Sequence, residues 1–335
     1  LGKDPRDINK ILGILHSRTR QSPGSIIQKA ISGIENALWD IKSKALNVPV
    51  FDLFGGKLRE KIPLYWSHFG TSRVRAFEII KKPRIASIPD LKEFGKEFKD
   101  SGFKALKTNI AILDSNPRIY MPGFYKSEGG PSLDINNKLL DDIYLWITTL
   151  KDSVGANIEI AVDLNFNFKT DGFIKVAGRL KGLDIAWLEI DTYDYEALKH
   201  IKESIDIPIT SCENLYGARQ YKPFIIKHCM DYASIDVIWN GFSESKKIAD
   251  IADIHEINIS PHNFNGYLST FISMNLCAVI PNLKLGEIDV DDVPWREELF
   301  TNVPLIENGS FIIKDNIGWG CEINEKKLKK YKWIK

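Results

Sequence analysis

The sequence has 335 residues, 44% apolar and 27% charged, with a net charge of +1, the composition of a globular protein rather than of a disordered or fibrous chain. The near-zero charge gives no reason to expect nucleic acid or a membrane surface as partner. No apolar run approaches the roughly 18 residues that span a bilayer, and no signal peptide opens the chain. Cys212, Cys229, Cys277 and Cys321 lack any paired zinc-type spacing and read as reduced, mostly buried thiols of a cytosolic enzyme. The opening at Leu1 rather than Met reads as that of a fragment or of a renumbered chain.

Residues 1–60 read as helical. Ser25 is the expected N-cap of a helix whose apolar positions Ile27, Ala30, Ile31, Ile34, Ala37, Leu38, Ile41 and Ala45 recur at helical spacing. Asn47 to Pro49 ends it, and residues 53–56 form a turn. A strand at 62–66 then opens a βα series: helix 88–99, strand 105–109, helix 136–150 and a strand at 158–162. Further strands are expected at 185–188, 207–210, 233–235, 257–259 and 283–286. Helices near 171–181, 193–204, 217–228, 243–256 and 266–279 separate them. The count from Ile62 to Leu285 is eight strands, and alternating strands and helices point to a parallel α/β barrel. After Glu287 an irregular tail runs to Lys335, with one strand-like run at 310–313.

Six ionisable residues follow six of these strands: Asp163, Glu189, Glu213, Asp236, His262 and Glu287, at intervals of 26, 24, 23, 26 and 25 residues. Side chains at the C-terminal ends of barrel strands converge on one mouth, where βα-barrel enzymes keep their active sites. One interval departs from the rhythm. Asn109 to Asp163 is 54 residues, and the excess carries RIYMPGFYKSEGG at 118–130. A long loop in a compact domain is usually functional or disordered. This one is expected to fold over the mouth and offer Arg118, Tyr120 or Tyr125 to a substrate carboxylate or hydroxyl.

Asp163, Glu189 and Glu213 lie on three consecutive strands, and three converging anions repel one another unless a cation sits among them. All-oxygen ligation with open positions suits Mg²⁺; the bland alternative is that one of them pairs with a lysine or arginine. Asp236 and His262 lie on neighbouring strands, and a carboxylate beside an imidazole produces a general base or acid. His16, His200, His228 and His255 fall in expected helices, whereas His68 ends the first strand and faces the mouth as a candidate substrate contact. Lys107 and Asn109 share one side of the second strand. A lysine is costly to bury unless it serves an anion, a metal site or a Schiff base. Asn165, two residues beyond Asp163, is placed to bond substrate or to cap the strand end.

With these residues in place, the chain closely resembles the mandelate racemase subgroup of the enolase superfamily over essentially its whole length. The resemblance rests on GIENALWDIK at 33–42, PVFDLFGG at 49–56, KTN at 107–109, VDLN at 162–165, LE at 188–189 and EN at 213–214. It continues through ID at 235–236, SPHN at 260–263, Glu287 and GWGCEI at 318–323. It implies a (β/α)₇β modified TIM barrel over 61–290, with 1–60 as the remainder of an α+β capping domain and 291–335 returning to that cap. It implies Mg²⁺ held by Asp163, Glu189 and Glu213, and a His262–Asp236 dyad moving a proton at the α-carbon of a carboxylate. Lys107 would neutralise the oxygens of the resulting dianion and Glu287 would hydrogen-bond the opposite carboxylate oxygen. A sugar-acid substrate, a homo-oligomer (dimer or octamer) and a cytoplasmic location go with that reading.

Two departures from the family pattern matter. The subgroup commonly has a second lysine where this chain has Asn109, which can neither accept nor release a proton, so racemisation by two opposed bases is disfavoured. The family's opening cap strands are absent before Leu1. Dehydration of an aldonate or aldarate to a 2-keto-3-deoxy acid is the leading reaction. A racemase or epimerase on the same scaffold, and a Schiff-base aldolase using Lys107, are the alternatives.

Overall fold

The computed structural model describes residues 2–122 and 132–331. Eight parallel strands form the barrel wall: β1 (Lys61–Ser67), β2 (Ala105–Thr108), β5 (Glu159–Asp163), β6 (Trp187–Glu189), β7 (Ile209–Ser211), β8 (Tyr232–Ala233), β9 (Asn258–Ile259) and β10 (Gly286–Asp289). Two short strands, β3 (Ala111–Ile112) and β4 (Arg118–Ile119), form an antiparallel hairpin in the long interval after β2. Consecutive wall strands pair in parallel, β10 returns to β1, and a parallel bridge between Ile259 and Leu283 completes the ring. Helices between the strands cover the outside, so the wall is buried on both faces and its strands are apolar and β-branched.

The interior is packed rather than hollow. Tyr65, Ala105, Ala161 and Trp187 fill its lower layer with Tyr232 against them, and the Tyr65–Trp187 and Trp187–Tyr232 rings meet edge to face at 5.6 and 5.8 Å. Directly above this apolar plug comes the layer of charged side chains. The floor of the mouth is therefore dry and rigid, the setting in which charges act most strongly on one another.

The helices Ile8–Thr19 and Ser25–Leu46 precede the barrel. The second starts one residue earlier than expected: Gly24 is its N-cap and Ser25 its first helical residue, with no side-chain cap bond. Ser32 donates to the Ile238 carbonyl at 2.6 Å, and Gln28 to that of Asn240 at 3.1 Å, tying this helix to the turn after β8. The C-terminal segment is partly ordered into β11 (Ile306–Glu307) and β12 (Ser310–Ile312), a hairpin added antiparallel to β1. Beyond it Gly318 takes φ +71, and a Cβ there would lie 2.4 Å from Asp40, so only glycine lets the tail lie so close to the Ser25–Leu46 helix. Trp319 then donates from Nε1 to the Asn36 carbonyl at 3.0 Å.

All four cysteines are buried and unpaired. Among the described residues no helix is long and apolar enough to cross a membrane. His16 and His200 lie within helices as expected. His228 and His255 lie just past helix ends, their rings 5.9 Å apart.

Candidate active site

The six ionisable residues lie at or just beyond strand ends. Asp163 and Glu189 close β5 and β6 and stand opposite each other in register. Glu213 is two residues past β7, Asp236 and His262 three past β8 and β9, and Glu287 lies within β10. All six are buried, with Lys107 and Asn109 among them.

Lys107 is the hub. Its Nζ lies 2.8 Å from Glu189 Oε2, 3.0 Å from Glu287 Oε1 and 3.9 Å from Asp163 Oδ2. Burial opposes its charge, but Glu189, Glu287 and Asp163 outweigh that and hold the ammonium well above the ordinary lysine value. Glu287 is equally committed. Ser67 and Lys107 donate to Oε1, and the Asn263 N–H donates to Oε2 at 2.6 Å. Burial alone would raise Glu287; Lys107, His262, Ser67 and Asn263 bring it down to about 2. Its two oxygens therefore anchor Lys107, Ser67 and the Asn263 backbone at once.

The remaining acids have the opposite problem. Burial and the Glu189 charge, opposed by Lys107, raise Asp163 to about 6. Burial, opposed by Lys107 and reinforced by Glu213 and Glu287, raises Glu189 to about 7. Burial raises Glu213 to about 7, with His262 opposing and Asp191 and Asp163 adding to it. Asp191 reaches about 8 through burial and the Glu189 and Asp163 charges. Anions pushed together in a dry site protonate or take up a cation.

Whether these residues fit a divalent ion turns on Glu189. Its Oε2 faces Lys107, as the lysine-pairing alternative allows, while its Oε1 is buried without a hydrogen-bond partner among the described residues. A hydrogen bond to Glu213 would exist only if one of the two carried a proton. Among the described residues no three carboxylate, imidazole or thiol side chains already close on a common point. A buried, unpartnered carboxylate oxygen among like charges is costly, and the donors are hard oxygens, so Asp163, Glu189 and Glu213 fit Mg²⁺ chemistry.

His262 Nδ1 lies 2.8 Å from Asp236 Oδ2, and Nε2 lies 3.6 Å from Glu213 Oε2. Burial works against a charged ring, but Glu213 and Asp236 raise it well above the ordinary histidine value. The other Asp236 oxygen accepts from the backbone N–H groups of Ile238 and Trp239 at 2.7 and 2.9 Å. One carboxylate thus orients the imidazole and caps the next helix. The Trp239 ring covers His262 at 5.1 Å.

Asn109 and Asn165 meet at the mouth, Nδ2 of the first 3.3 Å from Oδ1 of the second. His68 sits beside them at the end of β1. The long insertion is less simple than a lid. Arg118 pairs with Asp114 at 2.8 Å within the β3–β4 hairpin, and Tyr120 stacks on Phe168 at 5.8 Å. The Tyr120 N–H donates to the Ile110 carbonyl at 2.9 Å and its carbonyl accepts from Asn167 Nδ2 at 3.1 Å, so it is tied to the loops after β2 and β5; Tyr125 lies outside the described residues. Asp191 and Asp289 were missed by sequence reasoning. Each stands two residues after a recognised acid, Asp289 within β10 and Asp191 just past β6, the same two-residue spacing that singled out Asn165.

A closed βα barrel whose strand ends carry buried acids, a fixed lysine and a histidine–carboxylate pair is the architecture of an acid–base enzyme with its active site at the C-terminal face. The chain belongs to the mandelate racemase/muconate lactonizing enzyme group of the enolase superfamily: residues 90–327 match the enolase C-terminal domain-like family, and 1–55 match that group's N-terminal domain. It is 26% identical over 330 residues to the D-xylonate dehydratase of Haloferax volcanii, covering 97% of this chain and 75% of that one. It is 24% identical to the D-galactarolactone cycloisomerase of Agrobacterium fabrum, covering 99% and 80% of the two chains. A Burkholderia xenovorans structure described as an L-alanine-DL-glutamate epimerase bound to magnesium and fumarate is 39% identical, with a TM-score of 0.96 over 98% of this chain and 82% of that one.

Proposed function

We propose that the chain abstracts the proton α to the carboxylate of a sugar acid and expels the β-hydroxyl as water, yielding a 2-keto-3-deoxy acid. The observation that carries this reading is the buried His262–Asp236 pair, 2.8 Å apart, beside an acidic cluster in which Asn109 occupies the second lysine's place. His262 Nε2 takes the α-proton, and Asp236 holds the ring through Nδ1 and balances its charge. Lys107, kept as an ammonium by its carboxylate neighbours, offers positive charge to the substrate carboxylate as negative charge develops there. Asn109 and Asn165 orient substrate hydroxyls without moving protons. Asp163, Glu189 and Glu213 would hold Mg²⁺, which when bound stabilises negative charge on the substrate carboxylate.

The second reading, epimerisation of a carboxylate substrate, is favoured by the description of the Burkholderia structure; the amide at Asn109 weighs against it. A Schiff-base route is disfavoured because Lys107 Nζ is already engaged by Glu189 and Glu287 at 2.8 and 3.0 Å. The test is a library of aldonic and aldaric acids offered with Mg²⁺ and assayed for 2-keto acid. The expected result is a 2-keto-3-deoxy product from at least one member, lost on chelation. His262→Asn should lower turnover by about 10²–10⁴-fold or more. Recovery of an isomer of the substrate in place of a keto acid would select epimerisation, and borohydride trapping of an imine would select the lysine route.

A further inference from the structure

Beta-elimination needs two proton movements, one off the α-carbon and one onto the departing hydroxyl. Building on the dehydration reading above, we propose that His68, backed by Asp289, is the general acid that protonates the leaving hydroxyl, from a position two strands round the mouth from His262.

The geometry repeats that of the recognised dyad. His68 Nδ1 lies 3.3 Å from Asp289 Oδ1 and 3.2 Å from Ser67 Oγ, as His262 Nδ1 lies against Asp236. Among the described residues His68 Nε2 has no hydrogen-bond partner. The His68 and Asp289 side chains are 12% and 8% exposed, sheltered but reachable, and the Phe264 ring covers the imidazole at 4.4 Å. His68 takes φ +48, a left-handed conformation uncommon outside glycine and concentrated at functional sites.

Its position is pinned from both sides. The Phe69 N–H donates to the Lys107 carbonyl at 2.9 Å. Thr71 Oγ1 donates to the His68 carbonyl at 3.0 Å and lies 3.4 Å from Asn109 Oδ1. His68 therefore stands beside Asn109, where the site lacks a second proton-transfer group. His68 follows β1 and His262 follows β9, with β10 between them. At about 4.8 Å per strand spacing their strand ends are roughly 10 Å apart, enough to place a substrate C2–C3 bond between the two rings.

The step balances within the substrate and the two histidines. His262 removes the C2 proton, and the electron pair passes to the carboxylate as the enediolate. The pair then returns to form the C2–C3 double bond while the C3–O bond breaks, and His68 Nε2–H gives its proton to the departing oxygen, releasing water. The enol becomes the 2-keto acid by taking a proton at C3 from His262. Its hydroxyl proton passes to solvent, from which His68 is recharged.

The test uses the full chain with Mg²⁺ and a sugar acid that the wild type dehydrates, in deuterium oxide. His68→Asn is the chosen change because asparagine tolerates a left-handed φ. Formation of 2-keto acid should fall by about 10²–10⁴-fold, while exchange of the C2 proton into recovered substrate persists. The 3-deoxy-3-fluoro analogue, whose fluoride departs without a proton, should be turned over close to the wild-type rate. Asp289→Asn should show the same separation of exchange from elimination, which protects the test should the first variant fold poorly. Dehydration by His68→Asn at the wild-type rate, or equal loss of exchange, fluoride release and dehydration in both variants, overturns the assignment. A wild type that makes no 2-keto acid from any sugar acid fails the dehydration reading itself, before any variant is made.

Discussion

Asp236 serves two masters with its two oxygens, and the two roles respond differently to substitution. Oδ2 holds His262 and Oδ1 caps the helix Val237–Asn240. Asparagine caps helices as well as aspartate does, so Asp236→Asn should unfold in urea near the wild-type midpoint yet lose turnover, having lost the charge that balances the imidazolium. Asp236→Ala should lose turnover and also about 1 kcal/mol of stability from the missing cap. Equal turnover in Asp236→Asn and the wild type would remove Asp236 from the proton-transfer pair. Lys107 makes a stability prediction of a different size. Lys107→Met leaves Glu189 and Glu287 buried without their shared cation, and breaking a buried pair by removing one partner costs about 3–5 kcal/mol. Urea denaturation should show a loss in that range; a loss below about 1 kcal/mol, the range of exposed pairs, would mean that water reaches these carboxylates.

At the scale of elements, the joint between the helix Ser25–Leu46 and the barrel depends on one glycine. Gly241 takes φ +87, and a Cβ there would fall 2.0 Å from Glu35 Oε2. Glu35 in turn accepts from the Ser243 N–H at 2.7 Å and from Trp39 Nε1 at 3.1 Å. Gly241→Ala forces a strained conformation costing about 1–3 kcal/mol and also displaces a buried carboxylate, so the loss measured by urea denaturation should reach or exceed that range. An unchanged midpoint would show that this joint is loose. The strand rhythm was legible because each wall strand is a short apolar run and each unit has nearly the same length, so the acids keep phase with the strand ends. The same regularity located His262, Asp236 and the three carboxylates. The β3–β4 hairpin was not legible, since two-residue strands carry no periodicity and Arg118 reads equally well as a substrate contact or as the partner of Asp114. The commitment of Glu287 to Lys107, Ser67 and Asn263 was hidden for another reason: it depends on which residues of β1, β2 and β10 stand level, and register is a property of the closed barrel.

In the whole molecule, the Ser25–Leu46 helix touches the chemistry through a single turn. Ser32 Oγ donates to the Ile238 carbonyl, Asn36 Nδ2 to that of Val237 at 3.4 Å, and Gln28 to that of Asn240. Those carbonyls belong to the turn that Asp236 caps and that carries Trp239 over His262. Lys29, on the same helix, lies 3.8 Å from the centre of the Trp239 ring. The helix is therefore a support for the base as well as a cover. Ser32→Ala leaves the half-buried Ile238 carbonyl without its side-chain donor, a loss of about 0.5–1.5 kcal/mol for one such bond. If the helix positions His262 through this turn, Ser32→Ala should lower kcat even where urea unfolding shows the enzyme fully folded, with KM changed much less. Ser17→Ala, which removes only an exposed local bond to the Ile14 carbonyl at 2.9 Å, should change stability by no more than about 0.5 kcal/mol and leave kcat as it is. A Ser32→Ala enzyme with wild-type kcat and lowered stability would reduce the helix to a lid that holds the barrel closed without steering its base.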